Sequence, residues 1–340
     1  MSKVFKNFVG IDISKTWFDA ALLKKDNISA VMHQQFAQTP DGCKKMKQWL
    51  HEQDAALLDD QTLFCMEYTG IYNTALVEYL TAQHAHLWVE MPLRIKRAGG
   101  LQRGSDDRSA ALKIALYALR YHDQAKLWKP ADSSIENIKH LITQRDRIVT
   151  SIKHLSVPLE ELKQSGCIKE AKMMEKLQRP VLKAMLKAKL NIDTLITKTV
   201  KTDQELYSKV QHMQSVTAIG PVTATALLVY TKGFTAFDNA KQLACYCGVV
   251  PFNKTSGSSV RCKPSVSPFA NMKLKKLLHL CAMSAIQNDT EIKAYFQRKT
   301  TEGKNKMSVI NAVRNKLIHR IFAVVRDQRM FEKNYVKPCA

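Results

Sequence analysis

Apolar residues follow two rhythms along the chain. Up to about residue 125 they form short runs bounded by turn residues. These runs are Phe8–Ile11, Trp17–Leu23, Ile28–Phe36, Leu63–Met66 and His86–Val89. Runs of this length read as strands buried on one or both faces, the second and third in hairpin succession. Between them, 42–51 carries Met46, Trp49 and Leu50 at helical spacing, and a further helix runs through Leu80. Strands alternating with helices predict an α/β layer with a mostly parallel central sheet, whose active groups belong at the carboxyl ends of strands.

Beyond Pro130 and the helix-starting Asp132-Ser133-Ser134 the rhythm changes. Ile135, Ile138, Ile142, Ile152, Leu155, Leu159 and Leu162 recur mostly at spacings of three and four. That predicts a long helix interrupted at Pro158 and Gly166. A second helix over 169–200 should break or kink near Pro180. Together they predict a helical hairpin or coiled-coil arm over 126–209, with Lys183, Lys187 and Lys189 on a basic side. In the remainder, 210–340, Gly220-Pro221 resembles a helix-hairpin-helix turn, and 237–248 reads as a helix. A small-residue loop occupies 248–263, and amphipathic helices follow from Met272 and over 309–325. The expected organisation is therefore α/β plus α: domains at 1–125, 126–209 and 210–340, the last mainly α.

Charge sharpens this picture. The 340 residues hold 52 Lys and Arg against 30 Asp and Glu, a formal charge of +22. From Lys254 onward there are 18 basic and five acidic residues. Such an excess points to a polyanion, most simply nucleic acid. No apolar run reaches the roughly 18–20 residues of a membrane span, and the N-terminus lacks a signal-peptide core. The eight Cys are scattered, which fits a reduced cytosol. Cys245, Cys247, Cys262, His279 and Cys281 match no zinc spacing and read as core residues.

The chemistry-bearing residues are few. Asp12 sits inside a β-branched run and Glu67 closes another; a buried carboxylate is costly unless paired or bound to a metal. Asp106 reads as a helix-cap residue. The cluster Arg94, Lys96, Arg97 and Arg103 lies near the same strand ends and is suited to phosphates. Lys254, Arg261, Lys263, Lys273, Lys275, Lys276 and Arg314, the last with Lys316 and Arg320 on the polar side of its helix, read as phosphate-tracking residues.

Three segments carry a resemblance. Gly10-Ile-Asp12-Ile-Ser-Lys15, Met66-Glu67-Tyr-Thr-Gly70-Ile-Tyr72 and Asp107 ahead of Ile114-Ala115-Leu-Tyr117-Ala118 resemble the DEDD transposases of bacterial insertion sequences. That family includes Piv-type DNA invertases and bridge-RNA-guided recombinases. The resemblance implies a RuvC-like, RNase H-type N-terminal domain in a bacterial cytoplasmic protein. Asp12, Glu67 and Asp107 would bind Mg2+. The family's fourth Asp falls on Ala110, which cannot ligate a metal: either a deliberate Asp-to-Ala change that disables catalysis, the preferred reading, or a naturally weakened copy. Shifting the register onto Asp106 puts Ser109 in the fourth place and spoils the helix match. Gly248-Val-Val-Pro251 with Ser256-Gly257 matches the family's nucleophilic serine motif, so Ser256 inherits that role, with Ser258 and Ser259 as alternates. The implied activity is DNA transposition or recombination through a covalent phosphoserine. The implied partners are DNA, a guide RNA and further copies of the chain, as dimer or tetramer. Two other readings stay open: a RuvC-like junction nuclease without a covalent intermediate, and a nucleic-acid-binding protein without catalysis.

Overall fold

The computed structural model describes residues 4–53, 61–100, 107–130, 132–256 and 260–333, with backbone alone at 107–108, 253–256 and 260–263. They fall into two compact units divided after Pro130.

The first unit runs β1 (Asn7–Ile13), β2 (Trp17–Lys24), β3 (Asn27–Ala37), α1 (Pro40–Gln53), β4 (Thr62–Glu67), α2 (Thr74–Ala82), β5 (His86–Glu90), α3 (Pro92–Ala98) and α4 (Asp107–Tyr121). The five strands form one sheet in the order β3-β2-β1-β4-β5. Short turns make β1, β2 and β3 antiparallel, whereas β4 and β5, reached through α1 and α2, lie parallel to β1. The sheet is thus mixed, not mostly parallel. The hairpin links are too short for a crossover, and only the later strands have helices to return them.

Alternate residues of the central strands feed two cores. Val9, Ile11, Phe64 and Met66 pack with α1 and α2, while Phe8, Leu63, Cys65 and Trp88 pack with α4. The second contact is unusually close. A Cβ on Gly10 would run into the backbone of Ala111 and Ala115, at 2.8 Å from the Ala115 Cα. Only glycine on the strand allows this approach. Ala111, Ala115 and Ala118, all fully buried, repeat at helical spacing on the facing side. The Phe8 ring lies 5.5 Å from that of His122, just past the end of α4. The helix therefore runs against β1, and its first turn lies over the strand's carboxyl end.

The second unit contains α5 (Ser133–Gln164), α6 (Ile168–Thr202), α7 (Gln204–Ser215), α8 (Pro221–Tyr230), α9 (Ala240–Tyr246), the hairpin β6 (Pro251–Ser256) and β7 (Val260–Val266), α10 (Met272–Asn288), α11 (Thr290–Thr301) and α12 (Lys306–Arg326). The expected interruptions at Pro158 and Pro180 do not occur: α5 and α6 run through both prolines. Each proline is exposed, so the carbonyl it leaves without a partner can bond water, and packing along the pair outweighs one missing bond. Gly166, at φ +82°, makes the turn between the two helices. Ile135, Ile138, Ile142, Ile196 and Val200 at the base of this pair share one core with α7 through α12. The segment read as a small-residue loop folds instead as the β6–β7 hairpin. Among the described residues, no helix is long and apolar enough to cross a membrane.

Candidate active site

Strand register builds the acidic site. Asp12 on β1 faces Asp19 on β2, which in turn faces Gln35 on β3. The parallel pairing of Ile11 with Met66 sets Glu67 beside Asp12, and Glu67 pairs with Glu90. Residues directly across a ladder share a face, and Asp12 shares the face of Gly10, two residues before it. Asp19, Asp12, Glu67 and Glu90 thus form one row on the α4 side of the sheet.

Both ends of the row are held by hydrogen bonds. Asp19 is buried, with His33 Nε2 at 2.8 Å and Gln35 Nε2 at 3.1 Å on its two oxygens. Glu90, also buried, accepts from the Met91 backbone N–H at 2.7 Å, the Tyr117 hydroxyl at 3.2 Å and Arg94 Nη1 at 3.3 Å. Burial, and then the Glu90 charge, push the Tyr117 hydroxyl up to about 12. Asp12 and Glu67 are half-buried. Burial, and then the Asp12 charge, hold the Glu67 carboxyl above its ordinary value. A pair of repelling carboxylates at the end of a sheet suits a divalent cation, which removes the repulsion. Among the described residues no group of three or more His, Cys, Asp or Glu is disposed to hold a metal. Asp107, the third expected ligand, opens α4 as backbone over this row, and its side chain lies outside the described residues. Ala110 follows on the same helix as a half-buried methyl. Arg103 and Asp106 also lie outside the described residues.

Asp19 and Glu90 escape a reading for catalytic acids. Their signal was present: Glu90 closes an apolar run just as Glu67 does.

Basic residues flank the row. Helix α3 begins two residues after Glu90 and exposes Arg94, Lys96 and Arg97 at the same end of the sheet.

In the second unit, Lys254 pairs with Cys262, Thr255 with Arg261 and Ser256 with Val260, so Ser256 is the last paired residue of β6 before the hairpin tip. The side chains of Lys254, Ser256, Arg261 and Lys263 lie outside the described residues, as do Ser258 and Ser259 altogether. Gly220-Pro221 lies in the turn between α7 and α8, where Ile219 N–H donates to Val216 O at 3.0 Å and Pro221 opens α8.

Several expected phosphate contacts are already engaged. Lys273 pairs with Asp146 of α5 and lies 5.5 Å above the Tyr230 ring. Lys275 is half-buried and Lys276 exposed. Arg314 is a correction: it is 6% exposed, not on a polar face. Ile310, Val313, Leu317 and Ile318 surround it in the sequence at one, three and four residues, which is the inner stripe of α12. On the same helix Arg320 pairs with Asp289 at 2.8 Å, and Lys316 Nζ lies 4.7 Å from the Tyr295 ring centre. Cys247 and Cys281 are free and buried, and burial pushes the Cys247 thiol up to about 12, as for an inert core thiol.

Residues 210–297 match a family described as transposase IS116/IS110/IS902, and residues 9–162 match a DEDD transposase family. The chain is 24% identical to the pilin gene-inverting protein of Moraxella bovis over 341 residues, covering 96% of this chain and 98% of that protein. The pilin gene-inverting protein of Moraxella lacunata is also 24% identical, with the same coverage. An uncharacterized 43.6 kDa protein of insertion element IS110 from Streptomyces coelicolor is 29% identical over 120 residues, 35% of this chain and 29% of that protein. The solved structure of Thermus thermophilus RuvC covers 36% of this chain and 99% of its own at 13% identity, with a TM-score of 0.26. The strand order and register, rather than that superposition, carry the fold class.

Proposed function

We propose, on the matches of residues 9–162 and 210–297 to DEDD and IS116/IS110/IS902 transposase families, that the chain is a transposase that cuts and rejoins DNA for an insertion sequence. The observation that carries this reading is the adjacency of Asp12 and Glu67 at the strand ends, under the start of α4. Asp12, Glu67 and Asp107 would hold Mg2+, which would supply positive charge to offset the charge that develops in phosphoryl transfer. Ser256 is the nucleophile. Its hydroxyl oxygen bonds to phosphorus as the bond from phosphorus to one sugar oxygen breaks. The serine proton leaves, and the departing sugar oxygen takes one up. The phosphodiester energy is kept in the phosphoserine, so the reverse step rejoins DNA.

Exposed Arg94, Lys96, Arg97 and Lys276 suit phosphate contact without base reading. That division of labour fits an element-encoded RNA that selects donor and target DNA by pairing. Copies associate through α6, where Met174, Leu177, Val181, Ala184, Ala188 and Leu195 recur at heptad-like spacing, and Leu177 is 64% exposed. One observation favours a second reading, binding without cutting: the half-buried methyl of Ala110 offers no ligand in the first turns of α4.

The deciding assay incubates this chain and its Ala110→Asp form with element-end DNA, RNA transcribed from the element and Mg2+, and resolves covalent protein–DNA adducts on denaturing gels. Cleavage with an adduct that Ser256→Ala abolishes is the expected result. Cleavage that survives Ser256→Ala points to a junction nuclease. Absence of cleavage in both forms leaves a nucleic-acid-binding protein.

A further inference from the structure

Arg314 is a buried cation that the reaction above does not use. Its Nη2 donates to His279 Nδ1 at 2.7 Å and its Nη1 to Asn311 Oδ1 at 3.3 Å, while its Nε has no partner. Among the described residues no carboxylate pairs with it. A buried charge without a carboxylate partner is costly to the fold. A guanidinium can only donate, so the His279 Nδ1 facing it is the acceptor; burial, and then the guanidinium, hold His279 below its ordinary value.

The network leads to one backbone atom. With its Oδ1 held by Arg314, the Asn311 amide is oriented so that Nδ2 donates to the Val249 carbonyl at 2.6 Å. Val249 is buried, and its own N–H donates to Ala244 O at 3.1 Å. It stands two residues before β6, in the segment that leads to Ser256. The neighbouring Gly248 has φ +66°, and a Cβ there would meet Ala270 Cβ at 2.6 Å and Val266 Cγ1 at 3.2 Å. Val266 in turn pairs with Pro251 across the hairpin base. The strand that carries Ser256 therefore leaves the helical core at a point fixed from both sides.

We propose that Arg314 and Asn311 are positioning residues: Arg314 fixes the Asn311 amide, and that amide clamps the Val249 carbonyl and so sets where the β6–β7 hairpin and Ser256 project. The role in catalysis rests on Ser256 as nucleophile; the clamp itself does not.

Asn311→Asp tests it. Aspartate strengthens the contact to Arg314 but turns a lone pair toward the Val249 carbonyl in place of a donor. The expected result is amide hydrogen exchange in 251–256 and 260–266 at least tenfold faster, with exchange in α10 and α12 unchanged. Adduct formation falls at least tenfold, while Tm and the Kd for DNA stay near those of the parent. Arg314→Lys, which keeps the charge but loses the fork, moves the same readouts in the same direction by a smaller factor. Parent-like hairpin exchange in either folded variant overturns the clamp. An adduct that persists in Ser256→Ala overturns the nucleophile reading, and hairpin exchange then still decides the clamp.

Discussion

Glu67 sits in a place that opposes its charge. Burial and Asp12 raise its carboxyl above the ordinary 4.5, so the folded chain favours the protonated form more than the unfolded chain does. The stabilisation tied to that preference is complete below the ordinary value and is lost as pH rises through the raised one. At pH 7 without divalent cation, Glu67→Gln is expected to raise Tm by a few degrees, and the difference should vanish near pH 4. Adding Mg2+ should raise the Tm of the parent and leave that of the variant unmoved, as read by calorimetry. Asp12 and Glu67 are legible in the sequence because each places a carboxylate in or at the end of an apolar run. Arg314 is not legible, because an arginine in an amphipathic helix reads as polar by default. Only the packing of α10 and α12 turns it inward.

At the scale of elements, the strands and most helices follow from hydrophobic period and length. What the period cannot report is tertiary override. Pro158 and Pro180 mark breaks in isolation, yet the packed α5–α6 pair carries the helix through both. Likewise the Gly- and Ser-rich 248–263 segment has turn-like composition, and the pairing of β6 with β7 gives it strand structure. The exposed stripe on α6 makes its own prediction. If copies associate through α6 as proposed, light scattering should report a smaller species for Leu177→Glu with Val181→Glu than for the parent, with helix content unchanged. Both residues are exposed, so the cost to the monomer should stay within about 0.5 kcal/mol each. The contact of α4 with β1 makes another. Gly10→Ala should destabilise the first unit by about 3 kcal/mol in denaturant titrations, because backbone has to move to admit the methyl.

For the whole molecule, the charge of +22 sets how DNA is met. Binding should weaken steeply with salt, with a slope of log K on log salt near −0.9 per phosphate neutralised. Lys276→Ala, at an exposed site, should reduce that slope by about 1, measured by fluorescence anisotropy across a salt series. Arg314→Lys should leave the slope as it was, since the parent side chain is buried. Composition made this partner class legible. It could not reveal which basic residues the fold had already engaged, as with Lys273 on Asp146 and Arg320 on Asp289. The glycine beneath α4 has one more consequence. Its obstruction is main chain, so no second substitution can relieve it. Ala111 and Ala115 can be trimmed only to glycine, and the carbonyl and amide in the way would remain. A lineage that gained any side chain at position 10 would find no compensating neighbour to change, and reversion would be its sole repair.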